Sequence, residues 1–282
     1  IRPECAEDAD MLERFEREVQ TTATLTHPNT IQIFDYGHTR EGTFYYVMEY
    51  LPGLTLEELV WQHGPLPPGR VVHILLQICG ALHEAHAVGL IHRDIKPGNV
   101  MLCERGRTYD VAKLLDFGLV HSHVTHPEDD RLTQQGIVIG TPGFLSPEQA
   151  GSGDRVDARS DIYSVGALAY YLLSGRVVFA GHSPVKMLAA HLYESPTPLT
   201  THRPDVPAEL EAVVLQCLAK SPEDRFPHIQ ALMTALQGCR IEAVWTEEDA
   251  SRWWRAHGGE KEPHHDLPSP PSRGDATPQG LL

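Results

Sequence analysis

The 282 residues carry 38 Asp and Glu against 23 Lys and Arg, a formal net charge of −15. That balance argues against a nucleic-acid partner, which needs a basic face that no stretch of this chain supplies. The length allows a large core in one or two domains. The five cysteines, Cys5, Cys79, Cys103, Cys217 and Cys239, are too scattered for a disulfide framework or a zinc site.

Those cysteines read as reduced thiols, and no basic-then-apolar signal segment opens the given residues; a cytoplasmic setting is the expectation. Its most apolar run, residues 162–173, is short and broken by Tyr163, Ser164, Tyr170 and Tyr171, so no membrane segment is expected. The 17 histidines lack metal-site spacing; His121, His123 and His126 fall in a loop and His264 and His265 in a polar tail. Solvated histidines are the expectation.

In chain order, Leu12, Phe15, Val19 and Ala23 recur at helical spacing over residues 7–25, with Glu18 on or beside that face. Two strand-like runs, 31–36 and 44–50, flank turn residues 38–42 and predict a hairpin. Thr55, followed by Glu57 and Glu58, predicts a capped helix start. Val71, Ile74, Leu75, Ile78, Leu82 and Ala85 form a core stripe on a helix over 70–88. Residues 100–102 and 112–115 read as a short hairpin, and 119–145 as a loop whose first half is acidic at Glu128, Asp129 and Asp130. Helices follow over a segment opening at Ser160 and Asp161, then 183–194, 208–219 and 228–236. Thr246 to Asp249 looks like one more helix start, with Trp245, Trp253 and Trp254 able to dock it on the main body, and from His257 onward the composition predicts disorder.

The chemistry gathers at His92-Arg93-Asp94-Ile95-Lys96-Pro97-Gly98-Asn99 and at Asp116-Phe117-Gly118. These strings match the catalytic loop and magnesium turn of protein kinases. With Gly140-Thr141-Pro142-Gly143-Phe144-Leu145-Ser146-Pro147-Glu148 in the right order behind them, residues 7–236 resemble bacterial serine/threonine protein kinases. The resemblance implies an α+β, two-lobed kinase fold with an incomplete small lobe over 1–51 and a mainly helical lobe over 52–240. A Trp-bearing helix and tail occupy 241–282.

It also implies the reaction: transfer of the γ-phosphoryl group of ATP, held with Mg2+, to Ser or Thr of protein substrates, self-phosphorylation included. Asp94 is then the base, Lys96 steadies the transferred group, and Asn99 and Asp116 hold magnesium. Met48 is the gatekeeper, Glu49 and Leu51 belong to the adenine hinge, and Met101 packs beneath adenine. Thr141 hydrogen-bonds near Asp94 and Lys96, and Thr133 is an activating phosphosite that Arg93 receives. Glu18 pairs with a strand lysine, Asp161 holds the catalytic-loop backbone, and Glu148 pairs with Arg225.

One departure stands out. Lysine occurs only at 96, 113, 186, 220 and 261, and the first glycine is Gly37, so neither the phosphate-gripping lysine nor the Gly-rich loop precedes the helix. Loss at one clean boundary reads as truncation, and residues 1–282 alone are expected to be inactive. The missing lysine also supports the alternative of a pseudokinase or scaffold that binds through its helical lobe, which the retained Asp94, Asn99 and Asp116 oppose. A small-molecule phosphotransferase shares the loop pattern but not the 140–148 platform.

Overall fold

A computed structural model describes residues 16, 19–39, 43–117, 142–151, 156–181 and 183–257. Most of the helix predicted over 7–25 lies outside these residues; 19–22 are helical, and Val19 is buried with Phe44 in a small apolar cluster.

Strands β1 (Ile33–His38) and β2 (Phe44–Met48) pair antiparallel, as the hairpin pattern predicts, with a register shift between Ile33 and Asp35. A second sheet has the order β3-β4-β5, from Gly53–Thr55, Val100–Arg105 and Thr108–Leu114. The sequence reading missed β3, because three residues after a Pro-Gly turn carry too little alternation to read as a strand. It also drew β4 and β5 too short, since Arg105 to Thr108 is polar yet still pairs across the turn.

Thr55 caps α1 (Leu56–His63): its hydroxyl accepts from Glu58 N at 3.1 Å while the Glu58 carboxylate accepts from Thr55 N at 2.9 Å. Helix α2 (Pro68–Ala87) begins two residues before the predicted start, with Pro68 at a position where a missing N–H costs nothing. All six residues of its predicted stripe are buried. A short helix α3 (Pro147–Ala150) precedes α4 (Ala158–Ser174), which is apolar on nearly every side and runs through the centre of the large lobe. Around it pack α5 (Pro184–Tyr193), α6 (Leu199–His202), α7 (Ala208–Cys217) and α8 (Ile229–Gly238). Gly166 permits the α4–α7 crossing, because a Cβ there would stand 2.5 Å from Cys217 Cβ. Last comes α9 (Glu247–His257), whose indoles dock on α2 and β5.

Candidate functional site

The loop after α2 is shaped by one buried carboxylate. Asp161, in the first turn of α4, accepts from His92 N and Arg93 N at 2.9 Å each and lies 2.8 Å from His86 Nε2. Arg93 has φ +67°, a left-handed backbone that is costly for a residue with a Cβ. Asp161 holds it from one side. From the other, Gln149 Nε2 donates to Arg93 O at 2.7 Å, and Gln149 is itself bonded to Ser146.

The turn presents Asp94. Its Oδ2 accepts from Lys96 Nζ at 2.7 Å and from Asn99 Nδ2 at 2.8 Å, and Asn99 Nδ2 also reaches Asp94 O at 2.9 Å. The three predicted catalytic residues therefore meet at one oxygen. With its amide nitrogen committed to Asp94, Asn99 keeps its amide oxygen for another partner.

Asp116 follows β5 and is brought to the same place by two backbone links. Leu115 N donates to Asn99 O at 2.9 Å, and the fully buried His92 ring bonds Leu115 O through Nε2 at 2.8 Å while its Nδ1 accepts from Asp94 N at 3.2 Å. This bonding assigns His92 the neutral tautomer with hydrogen on Nε2, and burial holds its pKa below the ordinary value. Asp116 has φ +46°, and Tyr46 donates its hydroxyl to Asp116 Oδ1 at 3.4 Å. Burial raises the Asp116 carboxyl above its usual range, and the Tyr46 hydroxyl opposes this only in part. No lysine or arginine forms an ion pair with it among the described residues. A desolvated carboxylate with no ion-pair partner among the described residues, tied through Leu115 to the Asn99 backbone, fits a hard divalent ion such as Mg2+.

On the nucleotide side, Leu51 and Met101 come together in one apolar cluster with Ile31 and Cys103, beside Leu115. Met48, the expected gatekeeper, is 46% exposed. Glu49 is buried, and its side chain points away from adenine recognition: it pairs with Lys113 Nζ at 2.6 Å and with Arg105, and accepts from Gln32 N at 3.0 Å. Its backbone N–H donates to Gln32 O at 2.9 Å, which leaves the carbonyl oxygen for a hinge role. Lys113, which also donates to Thr30 O at 3.2 Å, is thereby engaged and does not replace the missing phosphate-gripping lysine.

Beneath the platform, Arg225 Nη1 and Nη2 grip Glu148 Oε1 and Oε2 at 2.7 and 2.8 Å, and Ser160 Oγ donates to Oε1 at 2.6 Å. Burial pushes the Glu148 carboxyl up, but these bonds outweigh it and hold its pKa below the usual value. Thr141 and Thr133 lie outside the described residues, as does the Glu18 side chain.

Residues 3–236 match the family model described as protein kinase domain. The chain belongs to the protein kinase family. The serine/threonine-protein kinase pkn3 of Myxococcus xanthus is 39% identical over 241 residues, 84% of this chain and 44% of the relative. PknB of Mycobacterium leprae is 41% identical over 229 residues, 80% of this chain and 36% of that one. This kinase chain thus spans less than half the length of either. The crystal structure of the Mycobacterium tuberculosis PknI kinase domain aligns with a TM-score of 0.64 at 28% identity, covering 84% of this chain and 82% of the other.

Three residues that shape the kinase site were missed in the sequence. Tyr46 was detectable, since it lies two residues from Met48 on β2 and so shares its face. Gln149 and His86 carried no local signal, because each acts across 56 or more residues of sequence. The expectation of solvated histidines is corrected for His92 and His191, both fully buried; His121, His123, His126, His264 and His265 lie outside the described residues.

Proposed function

We propose that the protein is a serine/threonine protein kinase that transfers the γ-phosphoryl group of ATP to Ser or Thr hydroxyls of proteins. The observation that carries this reading is the meeting of Lys96 and Asn99 on Asp94 Oδ2, with Asp116 tied to the same loop through Asn99 O and His92. Asp94 orients the acceptor hydroxyl and takes its proton, while Lys96, already beside that carboxylate, offsets charge on the transferred group. Asn99 and Asp116 hold Mg2+, which when bound neutralises the phosphate oxygens. Leu51 and Met101 supply apolar contact for adenine, and the Glu49 carbonyl oxygen accepts a hydrogen bond from it.

Self-phosphorylation at Thr133 belongs to the same reading: the Arg93 Nε is buried with no protein acceptor among the described residues, and a phosphate on the 119–145 segment suits it. Thr141 bonds near Asp94 and Lys96 in this account, and Glu18 pairs with a strand lysine. A cytoplasmic setting fits the reduced, mostly buried cysteines, and no described helix is long and apolar enough to cross a membrane.

The test uses residues 1–282 joined at their start to the Gly-rich loop and strand lysine of a relative. Incubation with ATP and Mg2+ and a protein substrate, followed by phosphoamino-acid analysis, should yield phosphoserine and phosphothreonine. Phosphotyrosine alone, or phosphate on small aminoglycoside-like acceptors only, contradicts the reading.

A further inference from the structure

Residues 241–257 lie beyond the stretch that matches the family, yet they are bonded into its interior. Asp110 on β5 is fully buried and receives four donors. Arg70 Nε and Nη2 reach it at 2.8 and 2.7 Å, and the indole N–H groups of Trp245 and Trp254 at 2.8 and 2.7 Å. The Arg70 guanidinium also stands 4.1 Å from the Trp253 ring centroid and 4.9 Å from that of Trp245. A second feature shows that α2 is shaped for this segment: a Cβ on Gly69 would stand 2.2 Å from Ala243 O.

Asp110 is also where β5 is irregular. It has φ +53°, and the β4–β5 register shifts between Cys103 and Arg105. A bulge of this kind aims one side chain off the regular alternation and sets the register of everything after it. Beyond the bulge, each polar group on the outer edge of β5 is taken in turn. Gln77 Nε2 donates to Asp110 O at 2.9 Å and its Oε1 accepts from Ala112 N at 3.0 Å. Asn29 Nδ2 donates to Ala112 O at 2.7 Å, and Leu114 N donates to Asn29 O at 2.7 Å. The strand then delivers Leu115 and Asp116 to the catalytic loop.

We infer that Trp245 and Trp254 are positioning residues for Asp116: by holding Asp110 in its left-handed bulge they fix the register in which β5 presents the metal-binding carboxylate. Without the indole donors, Asp110 loses half of its hydrogen bonds and the extended conformation, which places its side chain on the other face, competes. The segment after the family's stretch is then a working part of the site. The role given to Asp116 rests on the kinase reading, but the register claim does not.

The experiment is hydrogen exchange followed by mass spectrometry on residues 1–282, comparing the parent with W245F and W254F, each keeping an aromatic ring and losing the N–H. W61F, at an 82% exposed indole, is the control. Each clasp variant should speed exchange of peptides covering 110–116 by about tenfold while peptides from α4 and the W61F protein match the parent. Faster exchange confined to 241–257, or spread equally into α4, overturns the inference, because the indoles would then only anchor their own helix or support the whole fold. No phosphoryl transfer is needed for this readout, so an inactive chain leaves it decisive.

Discussion

At the scale of single residues, the buried pairs set both the shape of the site and its vulnerability. Arg225 is fully enclosed with five hydrogen-bond acceptors around it, two of them the Glu148 oxygens. Removing the cation leaves a carboxylate in an apolar setting, so Arg225→Met should cost about 3–5 kcal/mol in urea unfolding. A loss under 1 kcal/mol, of the order of an exposed pair, would contradict the buried geometry. A second residue governs acid behaviour. His191 is fully buried with Nδ1 2.8 Å from the Tyr163 hydroxyl, and burial, then the nearby Lys220 ammonium, pushes its pKa from 6.5 down to about 4. In that window the unfolded chain binds the proton and the folded chain does not, so stability falls as pH drops from 6.5 toward 4, by roughly 3 kcal/mol at most. His191→Asn, which keeps an acceptor for Tyr163, should flatten that part of a stability-against-pH curve. Glu148 adds its own loss only lower: its depressed pKa means its contribution is present above the ordinary carboxylate value and disappears as pH falls through the folded one.

At the scale of elements, local signals were legible where chemistry is local. Thr55 with Glu58 reads as a cap because the two partners are three residues apart, and both bonds are present. Thr55→Ala should therefore destabilise by about 0.5–2 kcal/mol, measured by thermal melting, and Thr55→Ser should restore most of it. The α2 stripe was equally plain, since Val71 to Ala85 repeat at 3.6 residues and all face the core. Strand β3 was invisible because its pairing partner, residues 101–103, lies almost fifty residues on. The ion pairs of the Glu49 side chain were illegible for a related reason: its partners Lys113 and Arg105 come from a distant hairpin, and nothing beside Glu49 in sequence announces an ion pair.

At the scale of the whole molecule, the large lobe is organised so that α4 supports the reactive loop from behind while β5 brings the second carboxylate from the side. Asp94, Asn99 and Asp116 were legible because their spacing matches a known pattern, and the hold of Asp161 on the loop backbone followed from the same resemblance; Gln149, which reaches Arg93 O across 56 residues, was not legible. The central claim is that Asp94, oriented by Lys96 and Asn99, is the base for phosphoryl transfer. The direct measurement is kcat for transfer to a protein serine or threonine, comparing Asp94→Asn with the parent in residues 1–282 joined to a relative's Gly-rich loop and strand lysine. Near-isosteric replacement removes the proton acceptor and leaves the neighbouring groups in place, so kcat should fall by about 10²–10⁴-fold with the melting temperature little changed. Undiminished kcat in a folded Asp94→Asn protein would contradict the account.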